Sequence, residues 1–170
     1  MEIVLEQIKS KIVSADVLVR KIETYRLKSD RIVFTNGCFD LLHLGHVTYL
    51  AKAASLGNRL IVAVNSDASV QTLEKGMLRP LQNQESRAMI MASLAVVDLV
   101  IIFDEPTPLS IIKLVHPDVL VKGGDWQPET IVGYEEVRKN GGQVLSIPLE
   151  PGYSTSAIEK KIADFYKGHS

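Results

Sequence analysis

Arg31-Ile32-Val33-Phe34-Thr35-Asn36-Gly37-Cys38-Phe39-Asp40-Leu41-Leu42-His43-Leu44-Gly45-His46 is the stretch that decides the fold. Its first five residues are a short β-branched and aromatic run and read as a buried strand. A glycine-containing turn follows. The stretch then opens a helix predicted over residues 47–55 and stopped by Gly57-Asn58. The same alternation continues down the chain. Strands are predicted at 59–64, 99–103, 119–121 and 143–147, and helices at 84–95, at 131–139 and from Ser156 to about Tyr166. Thr107-Pro108 reads as a helix start, with Thr as cap and Pro in the first position. Ser156 and Glu159 have the spacing of a capping box.

Near-continuous Val/Ile/Leu strands alternating with helices predict an α/β fold. The expected form is a Rossmann-like, doubly wound, parallel five-stranded sheet with helices on both faces. Ahead of it, residues 1–30 read as an N-terminal helical arm. Leu5, Ile8 and Ile12 share one stripe; Ser14 can cap a second segment carrying Leu18, Ile22 and Tyr25. The first stripe is expected to pack on the core or to form a contact in a homo-oligomer.

The 170 residues suit one domain. Lys plus Arg number 19 and Asp plus Glu 20, for a net charge of −1, which argues against a groove for a nucleic-acid backbone. The single cysteine, Cys38, cannot form an internal disulfide, so a reducing compartment is expected. The segment Met1–Lys9 lacks the basic and apolar regions of a secretory signal. Leu94–Phe103, the most apolar run, is short and contains Asp98, so no membrane span is expected. A cytoplasmic protein with no nucleic-acid or membrane partner is the expectation.

Ligands of parallel sheets bind beyond the carboxyl ends of the strands. No G-x-G-x-x-G and no G-x-x-x-x-G-K-[ST] occurs there. Instead His43 and His46 stand three apart at a predicted helix start, where both can point at one ligand beside unpaired N–H groups. That end carries partial positive charge suited to phosphate, and imidazoles can donate to charge building on a phosphoryl oxygen. Gly45 leaves room for a flat base against the backbone. A bare H-x-x-H reads equally as surface or capping histidines. No third ligand of good spacing joins the pair, so no protein metal site is expected.

Set behind Asn36-Gly37-Cys38-Phe39-Asp40, His43-Leu44-Gly45-His46 resembles the H-x-G-H signature of the nucleotidylyltransferase superfamily. Tyr153-Ser154-Thr155-Ser156-Ala157-Ile158 resembles its second signature, with Tyr153 where relatives have Gly or Cys. Asn65-Ser66-Asp67, Arg79-Pro80, Glu85-Ser86-Arg87 and Val121-Lys122-Gly123-Gly124-Asp125-Trp126 lie between them. This ordered set is similar to the heptose 1-phosphate adenylyltransferase subgroup, and covers about Ser14 to Tyr166.

The resemblance implies a nucleotidylyltransferase domain over residues 31–170. It implies AMP transfer from ATP to D-glycero-β-D-manno-heptose 1-phosphate, releasing pyrophosphate, on the route to the lipopolysaccharide core. Transfer to another phosphorylated polyol, such as glycerol 3-phosphate with CTP, and a non-catalytic nucleotide-binding regulator are the alternatives. The partners implied are ATP and heptose 1-phosphate, with Mg²⁺ carried on ATP. His43, His46 and Arg87 are the implied catalytic residues, with Arg87 neutralising the leaving pyrophosphate. Asn36, Gly37, Phe39, Gly45, Lys122, Gly123, Gly124, Asp125, Ser154, Thr155 and Ser156 are implied at the nucleotide, and Cys38, Asp40, Asn65, Asp67, Lys75, Arg79 and Trp126 at the acceptor.

Several of these have a second reading. Ser156 also reads as a cap, and Asp67 as the cap of a helix after the second strand. Asp40 also reads as a turn residue, and Cys38 as buried filler. Trp126 either stacks on a ligand or covers the core. Lys75 and Arg79 stand in a loop, 74–80, that reads as a cationic flap or a solvated loop. Many members of the subgroup continue a sugar kinase; the length here matches the adenylyl-transfer half alone.

Overall fold

The computed structural model describes residues 2–73 and 79–167. Five strands, β1 (Ile32–Gly37), β2 (Arg59–Asn65), β3 (Leu99–Phe103), β4 (Val119–Gly123) and β5 (Gln143–Ile147), form one sheet. All neighbours are parallel, in the order β3-β2-β1-β4-β5. The order reverses between β1 and β4, so a crevice opens beyond their carboxyl ends.

Eight helices among the described residues flank the sheet: α1 (Glu2–Lys9), α2 (Ala15–Leu27), α3 (Leu44–Ala54), α4 (Asp67–Gln71), α5 (Gln84–Ser93), α6 (Leu109–Val115), α7 (Tyr134–Lys139) and α8 (Thr155–Lys167). Strand side chains alternate between two cores. Ile32 and Phe34 of β1 pack with Leu18 and Ile22 of α2, Ile112 of α6 and Val137 of α7. Val33, between them, packs on the opposite face with Leu50 of α3 and Ala88 and Met91 of α5. Two-sided burial is why the strands read as unbroken apolar runs. No helix is long and apolar enough to cross a membrane among the described residues.

Several local expectations are corrected. Leu5, Ile8 and Ile12 do not lie on one helix. α1 stops at Lys9, and Ile12 makes a parallel bridge to Val100 at the edge of β3. The Val13 N–H donates to the Val100 carbonyl at 2.9 Å, and the Val100 N–H to Lys11 at 2.8 Å. Unpaired groups on an edge strand favour such pairing over one more helical turn. Ser14 stands at the N-cap of α2 but makes no side-chain bond there. α3 begins at Leu44 rather than Val47, with His43 at its N-cap. α6 begins one residue after Pro108. The helix predicted at 131–139 begins only at Tyr134, as α7, and a 3₁₀ turn, Pro128–Thr130, precedes it. Gly133 between them adopts φ +94°, and a Cβ there would lie 2.7 Å from Ile112 Cδ1. The last helix starts at Thr155, and no capping box forms. Ser154 Oγ accepts the Ala157 N–H at 3.1 Å, while Glu159 reaches Arg79 instead.

Candidate active site

A cavity of about 490 Å³ opens at the carboxyl ends of β1 and β4, between the starts of α3 and α8. Asn36, Gly37, Cys38, Phe39 and Asp40 line it from β1 and the turn beyond. His46 and Tyr49 line it from α3, Lys122 and Gly123 from β4, Thr155 and Ser156 from α8, and Arg79 from the segment before α5.

The two histidines form one unit. Their rings stack with centroids 3.8 Å apart, and Phe39 meets His46 edge-on at 5.4 Å. Burial lowers the pKa of His43. Burial, with the charge of His43 second, lowers that of His46 to about 4, although a bond to the Leu41 backbone pulls the other way. Both rings are therefore neutral at pH 7. The Nδ1 atoms of both are buried and have no hydrogen-bond partner, a costly state unless function requires it. Gly45 permits this packing: a Cβ there would lie 3.0 Å from His43 Nδ1 and 3.3 Å from the Tyr153 carbonyl. Gly45 itself does not line the cavity.

Asp40 is 2% exposed, and its carboxylate organises the segment before α5. It accepts the Leu81 and Gln82 N–H groups at 2.9 Å and Arg79 Nη1 at 3.1 Å. Burial pushes this carboxyl up. The two amides and Arg79 together outweigh burial and hold it below its ordinary value. Its role is therefore to fix Arg79 at the cavity rather than to serve its own turn. Lys75 lies outside the described residues.

Arg87 is fully buried and does not line the cavity. Nε donates to the Gln82 carbonyl at 2.9 Å, Nη1 to the carbonyls of Cys38 at 2.8 Å and Asn65 at 2.7 Å, and Nη2 to Asp67 Oδ1 at 2.6 Å. The expected contact with a leaving pyrophosphate gives way to a brace joining the turn after β1, the end of β2 and the start of α4. Asp67 does not cap α4; Ser66 does, accepting the Ser69 N–H at 3.1 Å. Asn65 is 4% exposed and does not line the cavity; its Nδ2 donates to Ser69 Oγ and its Oδ1 accepts from Cys38 Sγ.

On the β4 side, Gly124 adopts φ +119°, and a Cβ there would lie 2.9 Å from Trp126 Nε1. The Trp126 indole folds back to donate to the Gly123 carbonyl at 3.1 Å and stays 51% exposed, so it does not cover the core. Asp125 is exposed and lines neither this cavity nor its neighbour. Asn36 and Lys122 also border that second, apolar cavity of about 150 Å³, with Trp126 and Ile131. Ser154 is exposed and serves as the α8 cap.

Tyr49, Leu149 and Glu159 were not anticipated. Tyr49 stands three residues after His46, on the same helical face, which was a usable signal. Its hydroxyl pairs with Thr35 and donates to the Val121 carbonyl, tying α3 to β1 and β4.

The model of the cytidylyltransferase-like family matches residues 34–161, most of the chain, and the chain belongs to that family. Within it, the chain is 49% identical over 158 residues to the bifunctional protein HldE of Syntrophotalea carbinolica, covering 93% of this chain and 32% of that protein. It is 52% identical over 143 residues to bifunctional protein HldE of Aeromonas hydrophila, covering 84% and 30%. The chain thus spans about a third of the length of these curated relatives. A crystal structure of the lipopolysaccharide core biosynthesis protein from Thermoplasma volcanium matches with a TM-score of 0.58 at 29% identity, covering 71% of this chain and 97% of that one.

Proposed function

We propose that the chain transfers AMP from ATP to D-glycero-β-D-manno-heptose 1-phosphate, releasing pyrophosphate. The observation that carries this is one cavity lined by His46, Arg79 and Lys122, with the His43 ring stacked on His46 and both Nδ1 atoms unsatisfied. The motif resemblance to heptose 1-phosphate adenylyltransferases and the likeness to proteins named HldE support the choice of substrates.

A phosphate oxygen of the sugar 1-phosphate attacks the α-phosphorus in line. The new P–O bond forms as the bond to the β-phosphate breaks, so no protein nucleophile is required. Catalysis is then positioning plus stabilisation of charge. An anion beside a histidine favours its protonated form. A bound phosphate chain therefore draws a proton onto His46, and the charged ring stabilises it. Arg79 and Lys122 add positive charge, and Thr155 and Ser156 present hydroxyls at the start of α8. Arg87 acts as a positioning residue. No three His, Cys, Asp or Glu side chains converge as a metal cluster among the described residues, and magnesium is read as arriving with ATP, as part of the substrate. Use of ATP supports a cytoplasmic setting for the reaction.

Pyrophosphate release over a panel of sugar and polyol phosphates, with ATP and with CTP, tests the reading. Release with ATP and heptose 1-phosphate is expected. Release confined to CTP and a polyol phosphate would move the chain to the alternative transferase, and release with no pair to a nucleotide-binding regulator.

A further inference from the structure

Arg79 joins two carboxylates of unlike standing. Asp40 is 2% exposed and held by backbone N–H groups, so it is a fixed partner. Glu159, whose Oε1 lies 2.8 Å from Arg79 Nη2, has a side chain 39% exposed. It is carried on α8, a helix with no buried residue, so it is the partner that can move. Arg79 itself is 14% exposed and faces the cavity that holds His46, Thr155 and Ser156. A carboxylate so placed opposes any anion approaching the same guanidinium, because like charges in a partly desolvated site repel strongly. A phosphate, which can accept two parallel N–H bonds on two of its oxygens, competes directly for that guanidinium edge.

We infer that Glu159 is a displaceable stand-in for a phosphate group: it holds Arg79 at the cavity, and a phosphate of the ligand takes its place on Nη2. This rests on the reading of the cavity as a phosphate site. The consequence is a tuning role for α8, which weakens anion affinity while keeping Arg79 aimed. Were Glu159 only an anchor for α8, its removal would loosen the helix start and weaken binding.

The two accounts predict opposite signs. Titration calorimetry with inorganic tripolyphosphate on the full chain distinguishes them, using wild type, Glu159→Gln, Arg79→Gln and the double variant. Glu159→Gln is expected to bind about two- to fivefold more tightly than wild type, the range of a partly exposed ion pair. That gain is expected to vanish in the Arg79→Gln background, and Glu159→Asp, which keeps the charge, to bind like wild type. Equal or weaker binding by Glu159→Gln, or a gain that survives Arg79→Gln, overturns the inference. So does absence of binding to all variants at millimolar tripolyphosphate. Turnover of ATP and heptose 1-phosphate by the same preparation shows separately whether the proposed reaction stands.

Discussion

At the scale of single residues, His46 has a consequence for stability that can be given a sign. Its pKa is about 4 in the folded protein against 6.5 for an ordinary histidine. Between those values the unfolded chain binds a proton that the folded one does not, so stability falls as pH drops through that window. Denaturant melts of wild type against His46→Asn, from pH 7 to pH 4, are expected to show a shallower loss in the variant. In turnover, His46→Ala is expected to lower kcat about 10²–10³-fold, the usual effect of removing one transition-state donor. Near-normal kcat would remove this ring from the chemistry. Arg87 acts through structure: Arg87→Ala leaves Asp67 and three carbonyls without their partner and is expected to cost about 3–5 kcal/mol in urea unfolding.

At the scale of elements, α8 separates two serines that look alike in sequence. Ser154 accepts the Ala157 N–H, while Ser156 lines the cavity. Ser154→Ala is expected to weaken the helix start by about 1 kcal/mol, read as faster hydrogen exchange at the first α8 amides. Ser156→Ala is expected to leave that exchange unchanged and to raise the KM for ATP. The reverse pattern would restore the capping box that the spacing suggested. Sequence could place the helix but not its first residue. Ser154 and Ser156 are both good caps, and the choice depends on where Glu159 is drawn, which is toward an arginine eighty residues earlier.

For the whole molecule, α2 and the segment before it pack into the core, while α1 leaves Ile3, Val4 and Leu5 exposed. Leu18 is fully buried among β-strand residues, and Lys11 to Val13 pair with the edge of β3. Leu18→Ala is expected to destabilise the fold by about 2–5 kcal/mol, measured by thermal or urea unfolding. A change under 1 kcal/mol would make the segment a loosely held arm.

Strand texture, parallel pairing and the start of α3 near the H-x-G-H stretch were legible in the chain itself, because burial on both faces demands apolar runs and the motif sits where β1 gives way to a helix. Asn36 and Gly37 looked like turn residues yet extend β1, since their backbones pair with Ala63 and Val64. Partners distant in sequence were not legible. Arg87 reads as a phosphate ligand by its type and place in a motif. Only packing shows its guanidinium enclosed by Cys38, Asn65, Asp67 and Gln82. The amino-acid sequence by itself determined the alternation of strands and helices and pointed to the carboxyl edge of the sheet as the ligand side, through local periodicity and motif. The tertiary structure alone decided which charged groups face the cavity and which brace it, because a side chain's role follows from the groups that surround and desolvate it.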